Sequence, residues 1–113
     1  MSAQGAPGTF AGDMAAGMER MMRAMHAAVP TGDPDADFLA MMIPHHEGAV
    51  EMARLELVHG RDPLVRQLAE GIIASQQTEI EAMRARLGIM RHRGVAAEPE
   101  FPALGGTRGP AAR

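Results

Sequence analysis

Asp33-Pro34-Asp35-Ala36-Asp37-Phe38-Leu39-Ala40-Met41-Met42-Ile43-Pro44-His45-His46 decides how this chain is read. Its first half is a helix start. An Asp suited to capping is followed by a Pro whose missing N–H costs nothing at the first helical position. Two more Asp then place negative charge where the helix dipole is positive. The helix so begun is expected to reach His59-Gly60, with Gly60 as the residue just past its end. A centre line of Phe38, Met42, His45, Ala49 and Met52 is flanked by a second line of Leu39, Ile43, His46, Val50 and Leu57. Two apolar lines require two neighbours, so this is the middle helix of the fold. Pro44 has no N–H and displaces the carbonyl of Ala40, which predicts an interruption and a kink just before the two His.

Working outward, residues 12–28 form a first amphipathic helix that stops before Pro30-Thr31-Gly32. Met14, Met18, Met21 and Met25 share one arc of it, Met22 flanks the arc, and Glu19, Arg20 and Arg23 lie opposite. A third helix starts at Asp62-Pro63, the same cap-then-Pro signal, and runs to about His92. Its apolar stripe is Val65, Leu68, Ala69, Ile72, Ile80, Met83, Leu87 and Met90, with Gln76 inside it and Glu79 at its edge. Connections this short favour antiparallel neighbours. The expected fold is all-α, an up-down-up three-helix bundle over residues 12–93. A mobile segment is expected at residues 1–11 and an irregular Gly/Pro-rich tail at 94–113, which Phe101 and Leu104 would pin to the body.

The middle helix also carries the chemistry. Met41, Met42, His45, His46 and Met52, with Met83 from the third helix, are candidate metal ligands. Imidazole and thioether are the ligand set of copper, and of Cu(I) in particular. Thioethers bind without losing a proton and form no disulfides, so they stay usable in an oxidising compartment. Met14, Met18, Met21, Met22, Met25 and His26 of the first helix are further candidate ligands. Gln76 and Glu79 are expected at the height of His45, since both lie about 15 residues from the turn and the rise per residue is equal in the two helices. They would support the ligands, with His45 buried between the second and third helices. Two plainer readings stand beside this one. A Met stripe at helical spacing serves core packing or a partner-binding face. A buried His is satisfied by a carboxylate or amide, here Glu79, Gln76 or the carbonyl freed by Pro44.

Composition narrows the alternatives. The chain of 113 residues has 11 Met, no Cys, three Phe and no Trp or Tyr, so its core is built from aliphatic residues and Met, which suits helix packing. Lack of Cys excludes disulfides and thiolate zinc sites. A net charge of −3, with all 11 basic residues scattered Arg, offers nothing to nucleic acid. No apolar run approaches a membrane span and no signal peptide is visible at the start. His46-Glu47 is not followed by the second His of a metalloprotease motif. No nucleophile motif or phosphate loop is present, so an enzyme is not expected.

Residues 35–53, DADFLAMMIPHHEGAVEMA, and 68–87, LAEGIIASQQTEIEAMRARL, resemble the bacterial family catalogued as domain of unknown function 305. The shared pattern is M-I-P-H-H-x-x-A followed by Q-x-x-E-I-x-x-M. The resemblance implies a ferritin-like helical bundle, usually exported to the periplasm or cell exterior, with some members linked to copper binding and tolerance. It carries over Met42, His45, His46 and Met52 from the first block, and Gln76, Glu79 and Met83 from the second. The expectation is a protein that binds copper, as Cu(I), through Met and His ligands and sequesters, buffers or transfers the metal. The alternative is a helical interaction module whose Met-rich first helix binds a partner protein or a second copy.

Overall fold

The computed structural model describes residues 5–95. Three helices account for nearly all of them: α1 Phe10–Ala27, α2 Pro34–His59 and α3 Pro63–Val95. The expected tail, with Phe101 and Leu104, lies outside the described residues beyond Val95. Each start is capped by a side chain. Thr9 Oγ1 accepts from Gly12 N at 3.0 Å, Asp33 from Asp35 N at 3.0 Å, and Asp62 from the N–H groups of Leu64 and Val65, both at 3.0 Å. The α1 start precedes the expected one by two residues because Thr9 provides the cap. Phe10, brought into the helix, meets the His59 ring edge-on, with centroids 5.8 Å apart.

Two sequence expectations about α2 are corrected. The helix continues through Pro44 without interruption. Gly60 is its C-cap, with φ −78° and ψ 159°, not a left-handed residue beyond it. Glycine is needed there for space: a Cβ would sit 2.7 Å from the Glu56 carbonyl oxygen. Between α1 and α2 the connector is clamped by Asp37, whose carboxylate accepts from Thr31 N at 2.9 Å, Thr31 Oγ1 at 2.8 Å and Gly32 N at 3.2 Å. The backbone and hydroxyl bonds from Thr31 hold this carboxyl below the usual Asp range. A depressed carboxylate stabilises the fold above the ordinary Asp value, and that contribution fades as pH falls through its lowered one.

The helices are antiparallel neighbours. His46 and Glu47 pair with Glu79 and Arg84, and the Leu57 carbonyl with Arg66, so the end of α2 lies beside the start of α3 and its middle beside the later turns. The same holds for Asp13 with His59 and Arg20 with Glu51 across α1 and α2. Yet among the described residues α1 packs only on α2, and α3 only on α2. The trace measures 55 × 31 × 16 Å, the proportions of helices laid side by side, not of a closed triangular bundle. The bundle is therefore open: a three-helix layer with α2 in the middle.

This openness explains where the buried lines fall. Leu39, Ile43, His46, Val50, Ala53 and Leu57 of α2 face Ala69, Ile73, Gln76, Ile80, Met83, Leu87 and Met90 of α3. Their spacing alternates between three and four residues, as in a coiled-coil seam. On the opposite side of α2, Gly48 meets α1 so closely that a Cβ there would lie 2.9 Å from Met21 Cγ and 3.2 Å from Met21 Cβ. Gly17 of α1 is buried against the Glu51 carboxylate in the same crossing. Gly48→Val is expected to force the two helices apart and cost about 1–3 kcal/mol, read by thermal unfolding. A variant as stable as wild type would show that α1 yields freely.

The expected α2 centre line was displaced. Phe38 is 61% exposed and His45 is exposed, whereas every residue of the flank line is at least half-buried and Val50 is buried. The reason is geometric. Two contact stripes on opposite sides of a helix cancel as a vector, so the strongest apolar direction points between them, onto an open face of the layer. On α3, Val65, Leu68 and Ile72 are likewise exposed, while Ala69, Ile80 and Leu87 are buried as expected.

The layer's two faces differ in chemistry. One carries the cross-helix ion pairs Arg20–Glu51 and Glu47–Arg84. Its grooves are lined by Arg20, Ala24, Pro44 and Glu47 between α1 and α2, and by Arg54, Gln77 and Glu81 between α2 and α3. At ~100° per residue, the opposite flanks of the same helices form the other face. It gathers Met18, Met22 and Met25 of α1, Phe38, Met42, His45, Ala49 and Met52 of α2, and Val65, Leu68, Ile72 and Glu79 of α3. A groove on this face is lined by Asp35, Phe38, Leu39, Arg86 and Met90.

Candidate metal centre

The adjacent histidines part company. One residue is a rotation of ~100° on a helix, so two neighbours cannot serve the same surface. His46 points into the α2–α3 seam, its side chain 17% exposed. Its Nδ1 lies 2.9 Å from the Met42 carbonyl oxygen and its Nε2 2.9 Å from Glu79 Oε1. Both ring nitrogens thus face acceptors, and neither is open to a metal unless one partner is displaced. Glu79 was expected to meet His45; it meets His46 instead, at the predicted height. Met83 and Gln76 are half-buried in the same seam, and Met42, one turn before His46, is half-buried at its edge. This group reads as a polar pair satisfied inside a packed seam.

His45 lies on the other side of the division. It is exposed and makes no hydrogen bond or ion pair among the described residues, its ring 5.9 Å from that of His46. The crossing sets what stands beside it. With Met21 on Gly48, and Ala24 and Pro44 in one groove, equal rise brings Met25 to the height of His45. Met41 lies one turn along the same flank of α2. About 10 Å away, Met18 comes level with Met52, and Met22 lies between the two levels. Met18, Met22 and Met41 are exposed, and Met25 and Met52 are half-buried.

The sequence-derived ligand list therefore divides. Met41, His45 and Met52 join Met18, Met22 and Met25 on one open strip, while His46 and Met83 belong to the α2–α3 seam and Met42 stands half-buried on the open face at the edge of that seam. Met21 fills the α1–α2 crossing over Gly48. Met14, about two turns before it, is half-buried. His26 is exposed on the flank of α1 turned away from α2. The donor set of the strip is one imidazole and five thioethers, which fits a soft cation. It does not fit zinc or a hard cation: among the described residues no three His, Asp or Glu side chains gather to hold a metal.

Sequence reasoning missed the ion pairs Arg20–Glu51, Glu47–Arg84 and His59–Asp13, the last at 3.9 Å. It also missed Gly17 and Gly48 as the crossing point. Their presence inside helical stretches was the available signal, but it does not name the partner of either glycine. Among the described residues no helix is long and apolar enough to cross a membrane.

Comparison with known proteins agrees with the motif. Over 53 residues the chain is 43% identical to the uncharacterized protein L153 of Acanthamoeba polyphaga mimivirus, a match covering 47% of this chain and 35% of that protein. The chain thus spans about a third of that relative's length. The family model described as "Domain of unknown function (DUF305)" matches residues 1–87. That match takes in all of α1 and α2 and most of α3, and the chain belongs to the DUF305 family.

Proposed function

We propose that this protein binds Cu(I) on the open strip between α1 and α2 and serves to sequester, buffer or hand on the metal. The observation that carries the reading is the placing of His45 level with Met25 and one turn from Met41, with Met18, Met22 and Met52 continuing the same flank. None of these side chains is enclosed in the core, so the fold does not account for them. A run of thioethers at one-turn intervals also gives a bound ion neighbours to move to, which suits transfer to a partner. The ligand choice suits work in the periplasm or outside the cell, where thiols are oxidised and thioethers persist. The role is one of binding, with no catalytic step assigned.

The test is competition for Cu(I) against a chelator of known affinity, with zinc in parallel. Wild type is expected to take up Cu(I) and leave zinc with the chelator. Replacing Met18, Met22 and Met25 together by Leu keeps the apolar volume and removes only the sulfurs. That variant is expected to lose at least about tenfold in Cu(I) affinity while its melting temperature stays within a few degrees. No Cu(I) uptake by wild type, or equal uptake by the triple variant, overturns the assignment.

A further inference from the structure

We infer that a second copy of this chain covers the α2–α3 half of this methionine-bearing face, leaving the α1–α2 strip open, and meets it chiefly through Phe38 of α2 and Leu68 and Ile72 of α3.

The layer buries little of its own. Among the described residues the buried apolar side chains are Val50, Ala53, Ala69, Ile80 and Leu87, two of them alanines, and no large side chain is wholly enclosed. Meanwhile Phe38 is 61% and Leu68 60% exposed, with Val65 and Ile72 beside Leu68 on the same flank of α3. These residues are not scattered. They lie on the face opposite the ion pairs Arg20–Glu51 and Glu47–Arg84. Near its middle His46 Nε2 and Glu79 Oε1 already satisfy each other at 2.9 Å, and Asp35 and Arg86 share the groove beside Phe38.

The dimensions suit a dimer. The broad face of the layer measures 55 × 31 Å. A standard specific interface needs only ~800 Å² from each partner, so half of that face suffices. The ends of the face are complementary. Phe38 lies near the start of α2, and Leu68 and Ile72 lie near the opposite end of the layer. A two-fold axis running across the helices lays the Phe38 end of each copy on the Leu68 end of the other, the self-complementary arrangement of an isologous pair. Covering that a fold needs for its own stability has to be present wherever the chain is folded. A second copy meets that condition, and a separate partner does not.

The experiment uses the full chain without metal, in the presence of a chelator, so its outcome is independent of the copper reading. Sedimentation equilibrium is expected to show twice the 12.0 kDa of one chain at micromolar concentration. A Leu68→Glu, Ile72→Glu double variant is expected to weaken association by about thirty-fold or more, as a charged group in a desolvated interface does. Circular dichroism then shows either a helical monomer or loss of helix with the dimer, and both support the inference. Val58→Glu is the control, since Val58 is 72% exposed on the ion-pair face, and its association is expected to match wild type. Three results overturn the proposal: a monomeric wild type, whatever else then covers the face; a double variant that associates like wild type; or a Val58→Glu variant weakened as much as the double one.

Discussion

His45→Ala is expected to leave thermal unfolding of the protein almost unchanged and to weaken Cu(I) binding by at least about tenfold, while His46→Ala does the reverse. His45 is exposed and unbonded, so truncating it strands no partner and opens no cavity, and a surface change of that kind stays within ~0.5 kcal/mol. Its loss removes the only imidazole from the strip that also holds Met25 and Met41. His46, in contrast, bridges the Met42 carbonyl and the Glu79 carboxylate inside the α2–α3 seam. Its removal leaves Glu79 without its partner and a gap between the helices, at a cost of ~1–3 kcal/mol. Because Glu79 is 55% exposed, water recovers part of that loss, and the lower end of the range is expected. Melting curves and chelator competition on both variants decide it. A large stability loss in His45→Ala, or a large affinity loss confined to His46→Ala, would mean that the two rings had been assigned to the wrong faces.

The largest single effect on stability is expected from Ile80→Ala. Ile80 is 7% exposed at the centre of the α2–α3 seam, in a layer with few buried apolar groups to compensate. Its truncation costs lost transfer energy plus a residual cavity, about 2–4 kcal/mol. For a chain of this size that lowers the melting temperature by roughly 10 °C or more. Val58→Ala removes a β-branched residue of similar chemistry from an exposed position and is expected to change stability by less than ~0.5 kcal/mol. If the two variants melted alike, the buried line on α3 would have to lie elsewhere.

Much of the architecture could be read from local rules. Asp33-Pro34 and Asp62-Pro63 start their helices as written, because capping and the missing proline N–H act within one turn and need no tertiary partner. Antiparallel order followed from the short connections, and the pairing of the His motif with Glu79 followed from equal rise on either side of the turn. Ala69, Ile80 and Leu87 were correctly assigned to the core. The thioether and imidazole side chains on which the copper proposal rests were visible in the composition, since they depend on residue type and not on position.

What only the tertiary structure decided is which way α2 faces. Helical periodicity reports a single apolar direction, and that direction locates the core only when the neighbours lie on one side. Here α1 and α3 lie on opposite sides of α2, so the apolar maximum through Phe38, Met42, His45 and Met52 fell between the two contacts. A shift of one residue then exchanged the roles of His45 and His46, placing one in the seam with Glu79 and the other on the open methionine strip. Gly48 and Gly17 set that arrangement by letting α1 approach α2 closely, a distant pairing that local sequence rules do not contain.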